Sequence, residues 1–382
     1  MNSSKKVVLD ILKVADIRIN GKNKGDIIIK NQNFYKRVVN GGTLALGESY
    51  MDGWWECEDL DIFFYKLQNR KIMEKFLDDK KIISLVSFGN LKYLFHYGKS
   101  LLLNQQNTKS SSKSIRKHYD IGNDLYSLML DETMTYSCAY WEGAKSLKEA
   151  QEAKFDLICK KLQLKKGMSV LDIGCGFGSF AKFASKNYGV KVLGITLSKE
   201  QYEYGIKNCK ELDVKIQLKD YRLLTQKFDR IVSIGMFEHV GSKNYREYME
   251  VVNRCLKDGG LTLLHTIGRN SSSRIVEPWI SKYIFSNGQL PSMRQISLAM
   301  ENIFIFEDVH SFGWNYDKTL MQWHKNFEKN WSKLKSRYDQ RFYRMWRYYL
   351  LMCAGSFRGR NIQLWQIVMS KKGDILKYKS IR

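Results

Sequence analysis

The chain has 382 residues and only two prolines, so we expect about two domains and no long proline-rich linker. Its 63 Lys and Arg exceed its 39 Asp and Glu, which gives a net charge of +24. This balance predicts an anionic partner: a nucleic acid, an acidic membrane face or an anionic substrate. Asp10 and Lys13 interrupt the first apolar run, and no window reaches the roughly 18 apolar residues of a membrane span. We therefore expect a cytosolic or peripheral protein.

The cysteines indicate reduced thiols. There are seven of them, scattered along the chain without a Cys-x-x-Cys pair. An odd and unclustered set argues against disulfides and against a zinc site, so no metal is expected.

The first 105 residues read as a small α+β domain. Residues 5–15 have helical apolar spacing, which fits either a helix packed on its own domain or a helix lying on a membrane surface. Residues 16–20 and 26–30 are β-like, and a helical pattern runs from 59 to about 103. The polar stretch 106–115 has the composition of a linker. A second domain is expected over 116–382.

Residues 116–382 alternate between strand and helix patterns, as in a doubly wound sheet. The predicted strands are 168–173, 190–196, 214–218, 228–234, 261–266 and 363–369. The predicted helices are about 146–163, 179–188, 198–210, one ending at 256, an insert at about 275–300, and one at about 318–352. The last helix spaces aromatic residues by four and carries a basic face, which predicts a core stripe beside a solvated cationic surface. That surface would meet anionic headgroups.

A glycine-rich turn follows the strand at 168–173. Gly174, Gly176 and Gly178 alternate with other residues and lead directly into a helix. Glycines let a backbone turn sharply and approach a ligand, and the helix start offers free N–H groups. The spacing departs from the Gly-x-Gly-x-x-Gly dinucleotide fingerprint, because Ser179 stands at the sixth position, where its third glycine would fall. The turn resembles the first motif of class I S-adenosylmethionine (SAM) methyltransferases.

Polar residues also follow the other predicted parallel strands. They are Thr196 and Ser198, Asp220, Glu238 and His239, and His265. Ligands in open α/β sheets bind beyond the carboxyl ends of the strands, so we expect these groups to share one rim. Ser198 is also a plausible helix N-cap, with Gln201 at the capping-box position.

Several long motifs together resemble the cyclopropane-fatty-acyl-phospholipid synthase family. They are His118–Asn123, Tyr136–Tyr140, Gly174–Gly178, Gly194–Ser198 and Met236–Val240, with Gly47–Trp55, Cys353–Phe357 and Gln363–Gln366 as further matches. The resemblance covers nearly the whole chain. It implies an α/β fold: a Rossmann-like doubly wound sheet of the class I SAM methyltransferase kind with a small α+β N-terminal domain.

The resemblance also implies a reaction and its site. The cis double bond of a phospholipid acyl chain would attack the SAM methyl group, and the resulting carbocation would lose a proton to bound bicarbonate and close to a cyclopropane. SAM would be held by Tyr136, Ser137, Gly174, Gly176, Thr196, Gln201, Tyr221 and Arg222. Bicarbonate would be held by Cys138, Glu238, His265, Ile267 (through its backbone) and Tyr316.

Three of these residues also have plainer interpretations. Glu238 could be a carboxylate favoured at a helix start, and His265 could be a satisfied core histidine. Cys353 matches a cysteine proposed as the nucleophile of the family, and we include it as a catalytic candidate. No base adjoins it, since Met352 and Ala354 are its neighbours, so a buried structural thiol is the other interpretation.

The resemblance implies a homodimer that acts on unsaturated phospholipids at the inner face of a membrane, with the N-terminal domain docking on the bilayer. Two other functions compete with this one. The net charge alone would suit a nucleic-acid methyltransferase, but the chain contains no Asn/Asp-Pro-Pro-Tyr motif, so no nucleic acid is expected. A non-catalytic lipid-binding or scaffold protein would not need the glycine turn and the rim residues. A methyl-branched or hydroxylated lipid product, or methylation of another substrate such as a small amine, also stays open.

Overall fold

The computed structural model describes residues 3–68, 122–273, 276–286, 288–374 and 377–382. They fall into two compact units. Unit 1 comprises residues 3–68, 276–286 and 320–362, and unit 2 comprises 122–273, 288–319, 363–374 and 377–382. The expected linker at 106–115 and most of the helical pattern from 59 to 103 lie outside the described residues. The domain boundaries therefore stay a prediction.

The helices, in chain order, are α1 Ser3–Val14, α2 Phe34–Met51, α3 Leu60–Leu67, α4 Asn123–Met129, α5 Leu147–Lys161, α6 Ser179–Tyr188, α7 Lys199–Asn208, α8 Tyr245–Cys255, α9 Pro278–Tyr283, α10 Met293–Met300, α11 Trp314–Leu334 and α12 Gln340–Arg358. The strands are β1 Ile28–Ile29, β2 Trp55–Glu56, β3 Ser169–Ile173, β4 Lys191–Thr196, β5 Val214–Leu218, β6 Phe228–Ile234, β7 Leu256–Arg269, β8 Phe304–Ser311 and β9 Ile362–Lys371.

Unit 2 is built on a seven-stranded sheet in the order β5-β4-β3-β6-β7-β9-β8. The five strands from β5 to β7 pair in parallel, and β8 pairs antiparallel with β9. The expected α/β doubly wound fold is confirmed. Because all five parallel strands point the same way, their carboxyl ends meet along one edge of the sheet, where a ligand site is expected.

Two hydrophobic cores cover the two faces of this sheet. One packs Phe155 and Ile158 of α5 and Phe180 of α6 against Val170 of β3. The other packs α8 and α10 against the opposite face, which includes Leu171 of β3. The alternation of side chains along β3 therefore places Asp172 on the same face as Val170, toward α5 and α6.

Two predicted elements were wrong in extent. The helix predicted over 318–352 is two helices, α11 and α12, because the Asp339 side chain accepts a hydrogen bond from the Phe342 N–H at 2.7 Å and caps a new helix there. The strand predicted over 261–266 is the longer β7, whose register against β6 shifts between Phe228 and Arg230. Strand β8 was not predicted, and residues 16–20 contribute only an isolated bridge at Ile19.

Unit 1 has an aromatic core with a half-buried arginine beside it. The predicted aromatic stripe is buried at Trp323, Phe327 and Trp346. Arg344 was expected on a solvated basic face, and this expectation is wrong. Its guanidinium donates to the Trp55 carbonyl at 3.0 Å and to the Glu56 carboxylate at 3.0–3.2 Å. It also stacks over the Tyr50 ring. It thereby ties α12 to the segment that carries β2.

In the described parts of the chain, none of the helices combines the length and the hydrophobicity that crossing a bilayer requires.

We expect Arg344→Lys to lower the free energy of unfolding of the protein by about 2 kcal/mol, because an ammonium cannot bind the backbone carbonyl and both carboxylate oxygens at once. Arg341→Lys is the matched control on the same helix. Arg341 pairs with Asp52 at 3.1 Å but is 46% exposed, so its loss should cost about 0.5 kcal/mol or less. Denaturant unfolding measures both. Equal effects of the two substitutions would contradict the structural role of Arg344.

Candidate active site

A cavity lies at the carboxyl edge of the parallel strands in unit 2. It is lined by the ends of β3, β4 and β6, by the glycine-rich turn and by the segment 134–137. All eight residues that the sequence analysis assigned to SAM lie on its wall: Tyr136, Ser137, Gly174, Gly176, Thr196, Gln201, Tyr221 and Arg222. The structure brings these residues together from four separate parts of the chain, while their role in binding stays a prediction.

The glycine-rich turn lines the cavity in a backbone conformation that residues other than glycine rarely adopt. Gly174 has φ of +81°, and a Cβ built there would lie 2.7 Å from the Met236 side chain. Gly176 has φ of +55°, and no atom lies within 4 Å of the place where its Cβ would be. The turn therefore needs glycine for its conformation and, at Gly174, for close packing. It leaves open space beside Gly176 on the cavity wall.

Hydrogen bonds fix the polar residues that follow β4. The Thr196 hydroxyl donates to the Gln201 Oε1 at 2.9 Å and accepts from the Ser198 N–H at 3.2 Å. The Ser198 side chain caps α7 by accepting from the Gln201 N–H, as predicted. The Gln201 side chain binds Thr196 rather than the Ser198 amide, so the full capping box does not form.

The residues that follow β5 form a charged pair. The Asp220 carboxylate accepts from the Arg222 guanidinium at 3.0 and 2.7 Å. The same guanidinium lies 5.5 Å from the Tyr221 ring centre. Asp220 thus holds Arg222 and Tyr221 in place on the cavity wall.

The segment 138–141 is attached to the start of α11. The Ala139 N–H donates to the Thr319 hydroxyl at 3.2 Å, and the Trp141 N–H donates to the Asn315 Oδ1 at 2.7 Å. Tyr316 lies on the same first turn of α11. The buried Cys138 thiol is kept protonated, because desolvation raises its pKa well above the usual range.

Glu238 and Ile267 are in direct contact. The Ile267 N–H donates to the Glu238 Oε1 at 2.7 Å, which joins the residue after β6 to the end of β7. The other carboxylate oxygen, Oε2, is buried and has no hydrogen-bond partner among the described residues. Burial raises the pKa of Glu238 to about 7, against the opposing effect of the Ile267 amide. The carboxyl group can therefore gain or lose a proton near neutral pH.

His265 is buried with one ring nitrogen unused. The Gln366 side-chain amide donates to its Nδ1 at 3.3 Å, and this assigns the proton of the neutral ring to Nε2. Nε2 is buried and has no partner in the described part of the chain. Burial, with a contribution from Lys154 and Lys161, lowers the pKa of His265 well below its usual value. The ring is therefore neutral and offers Nε2–H to an acceptor, which argues against a satisfied core histidine.

Ring contacts link the remaining segments. His265 packs against Phe312 at 5.9 Å between ring centres, and Tyr140 packs against the same Phe312 at 5.4 Å. Phe312 directly precedes the turn into α11. The parts of the chain that carry Cys138, His265 and Tyr316 are therefore neighbours, and Glu238 joins them through Ile267.

Cys353 lies in α12, in unit 1. Desolvation, with a smaller contribution from the nearby Glu277 carboxylate, raises the pKa of its thiol to about 12. A thiol in this environment is protonated at neutral pH and is a poor nucleophile.

Two side chains with unpartnered polar atoms were not predicted as site residues. Both carboxylate oxygens of Asp172 are buried without a hydrogen-bond partner within the described ranges, and this residue lines the cavity. Gln366 orients His265. Asp172 stands two residues before the first glycine of the turn, but nothing in the sequence connected Gln366 to a histidine about a hundred residues away.

Comparison with known proteins identifies relatives along almost the whole chain. The family model for mycolic acid cyclopropane synthetase matches residues 106–367. The cyclopropane-fatty-acyl-phospholipid synthase of Escherichia coli strain K12 is 50% identical over 371 residues, which cover 96% of this chain and 93% of that protein.

Solved structures resemble the chain as well. The cyclopropane synthase MmaA2 from Mycobacterium tuberculosis is 32% identical with a TM-score of 0.65, covering 68% of this chain and 98% of that one. The mycolic acid cyclopropane synthase CmaA1, complexed with SAH and CTAB, is 33% identical with a TM-score of 0.64 and the same coverage.

We expect Glu238→Gln to stabilise the ligand-free protein at alkaline pH. Because the pKa of Glu238 is about 7 when folded, the folded state binds more protons than the unfolded state between about pH 4.5 and 7, and stability falls as pH rises through this window. Glutamine avoids that loss, so it should gain about 1–3 kcal/mol at pH 8 and nothing at pH 4. Denaturant unfolding at both pH values measures the difference.

The control is Glu301→Gln, at an exposed carboxylate, which should change stability equally at both pH values. A Glu238→Gln protein that is no more stable than wild type at pH 8 would contradict the burial cost assigned to this carboxylate.

Proposed function

The chain belongs to the mycolic acid cyclopropane synthetase family and is a SAM-dependent methyltransferase, and we propose that it adds a methylene group to the cis double bond of phospholipid acyl chains. The product would be a cyclopropane fatty acyl chain. The observation that carries this proposal is a pair of buried polar atoms without a hydrogen-bond partner among the described residues, the Glu238 Oε2 and the His265 Nε2, in the unit whose cavity is lined by the expected SAM-binding residues. The 50% identity to a cyclopropane-fatty-acyl-phospholipid synthase supports the substrate class.

The cavity residues fit SAM. Gly174 and Gly176 let the backbone approach the ligand, and the Asp172 carboxylate, which has no hydrogen-bond partner in the described residues, suits the positive charge of SAM. SAM supplies an electrophilic methyl group. Tyr136 and Ser137 line the cavity on one side, and Thr196 and Gln201 line it on the other. Together they would orient that methyl group toward the lipid.

We propose that Glu238, His265, Ile267, Cys138 and Tyr316 hold a bicarbonate ion, which would serve as the proton acceptor of the reaction. The His265 Nε2–H is a donor that suits an anion, and Glu238 has one oxygen available for the hydroxyl of bicarbonate. The Ile267 N–H donates to Glu238 and the Ile267 carbonyl accepts from the Thr266 hydroxyl, so the backbone of Ile267 would contribute by fixing the Glu238 carboxylate. Burial of these residues excludes water, which would otherwise compete for a cationic reaction centre.

Aromatic rings near this set support chemistry that develops positive charge. Tyr140 and Phe312 form an edge-to-face pair beside His265, and Trp141 is buried in the same segment. Ring faces stabilise cations in a water-poor environment.

We propose that the protein acts as a homodimer at the cytoplasmic face of a membrane, with its N-terminal domain on the bilayer. Basic residues of unit 1 would contribute through contacts with anionic headgroups. The exposed cations on the unit 1 part of α11 and just after it are Lys325, Lys329, Lys333, Lys335 and Arg337. Arg344 and Arg347 are not part of this surface, because Arg344 pairs with Glu56 and Arg347 with Tyr50.

The direct test is transfer of label from methyl-labelled SAM to vesicles of cis-monounsaturated phospholipid, followed by mass spectrometry of the acyl chains. We expect a mass gain of one methylene with loss of the double bond, and no label in vesicles of saturated phospholipid. Removal of carbon dioxide and bicarbonate should lower the rate several-fold, and added bicarbonate should restore it. Glu238→Gln should lower kcat by about 10²-fold.

Several outcomes would count against the proposal. Unlabelled vesicles would refute lipid modification, and a methyl-branched product that keeps no ring would replace the cyclopropane product. A rate that does not depend on bicarbonate would leave another group as the proton acceptor.

We also expect Cys353→Ala to keep at least about half of the wild-type kcat, because the thiol is protonated and the addition of an alkene to a sulfonium methyl needs no protein nucleophile. Measurement of kcat and of the unfolding midpoint separates a chemical role from a packing role. A loss of about 10³-fold in kcat without loss of stability would restore Cys353 as a nucleophile.

A further inference from the structure

Two fully buried polar side chains of α5 lie behind the cavity. Gln151 and Lys154 are one turn apart, and both have 0% exposure. A lysine is almost never fully buried in a protein unless its charge is used. Neither residue was assigned a role above.

Both side chains bind the segment that lines the cavity. The Gln151 Nε2 donates to the Ser137 carbonyl at 2.9 Å and to the Thr135 carbonyl at 3.4 Å. The Lys154 Nζ donates to the Ser137 hydroxyl at 2.8 Å and to the Gln151 Oε1 at 2.7 Å. The two residues therefore form one hydrogen-bonded group that holds residues 135–137 from behind.

The Lys154 ammonium also acts on Asp172. The strand alternation turns Asp172 toward α5, and Lys154 is the charged group that lowers the pKa of its carboxyl against the effect of burial. Asp172 lines the cavity with two oxygens that have no partner in the described chain. An ionised carboxylate in this position would be very costly without a nearby positive charge.

We propose that Lys154 is a positioning residue of the active site. Together with Gln151 it fixes the backbone of residues 135–137 against the cavity, and its ammonium group, on the helix that Asp172 faces, favours the carboxylate form of Asp172 for a cationic ligand. The inference rests on the proposed function only in taking SAM as that ligand.

The electrostatic consequence has a definite sign. Burial raises the pKa of Asp172 to about 7, and it lowers the pKa of Lys154 to about 7 against the effects of Cys138, Asp131 and Asp172. Removal of the Lys154 charge moves the pKa of Asp172 further upward. The carboxyl is then protonated at neutral pH, so binding of SAM requires a higher pH than in the wild type.

Lys161 is a matched control on the same helix. It is also fully buried, but its Nζ lies 3.5 Å from the Asp308 carboxylate and 3.0 Å from the His310 Nδ1, and it does not line the cavity. Both Lys154 and Lys161 lower the pKa of His265. An effect seen only for Lys154 therefore does not arise through that histidine alone.

The test is calorimetric binding of SAM and of S-adenosylhomocysteine (SAH) to the full chain between pH 6 and 9, without lipid. At pH 7, Lys154→Met should raise the Kd for SAM by about tenfold or more, since it removes both hydrogen bonds of the Lys154 Nζ. In this variant the affinity for SAM should begin to fall at a higher pH on acidification than in the wild type. The affinity for SAH, which lacks the sulfonium charge, should change less. Lys154→Arg should recover most of the affinity, and Lys161→Met should bind SAM as the wild type does.

Wild-type affinity and pH dependence in Lys154→Met would overturn the proposal, as would an equal loss in Lys161→Met. If Lys154→Met does not fold, a measurement on the wild-type protein replaces it. Calorimetry at pH 7 in buffers of different ionisation enthalpy gives the number of protons released on binding. SAM binding should release more protons than SAH binding. Equal release would overturn the inference. Because no lipid is present, a protein that binds SAM in this way but leaves phospholipid unmodified would refute the proposed function alone.

Discussion

Three ionisable side chains are buried at one edge of the parallel sheet, and each has at least one polar atom without a hydrogen-bond partner in the described part of the chain. Asp172 and Glu238 carry unpartnered carboxylate oxygens, and His265 carries an unpartnered ring nitrogen, within the residues that the structure describes. Each such group costs stability in the ligand-free protein. A fold keeps this arrangement only where something else completes it. Most of the functional interpretation depends on this single feature.

The topology explains why these groups come together. Asp172 is the penultimate residue of β3, Glu238 follows β6 and His265 belongs to β7, and these strands are neighbours in the order β3-β6-β7. Parallel neighbours present their carboxyl ends side by side, so residues far apart in the chain share one edge. The segment before the first strand of the sheet then closes over that edge, held by α5 and by the start of α11.

Much of this site could be predicted from the sequence, because its residues directly follow strands. The glycine turn at Gly174–Gly178 and the polar residues Thr196 and Glu238 stand at positions that a strand pattern locates to within a residue or two. Six of the eight residues assigned to SAM meet at one cavity for this reason, while Tyr136 and Ser137 come from the segment between α4 and α5.

The parts that escaped prediction depend on tertiary contacts. Lys154 lies in a helix, where a lysine side chain is normally exposed to solvent. Only the three-dimensional structure shows that it binds Ser137 and lies on the side of the sheet where Asp172 is buried. Arg344 was taken for part of a solvated surface because its partner, Glu56, lies in a distant segment. The break between α11 and α12 depends on one capping aspartate, Asp339, within a pattern that otherwise continues with helical spacing.

The attachment of residues 133–141 has a practical consequence for protein engineering. Ser179 binds the Thr133 carbonyl, Ala150 accepts from the Tyr140 N–H, and Asn315 and Thr319 hold residues 139–141. A loop transplanted from a relative to change substrate range would lose these anchors unless it arrived with its own versions of them. Successful chimaeras should therefore exchange this loop as a set with the matching faces of α5 and α11.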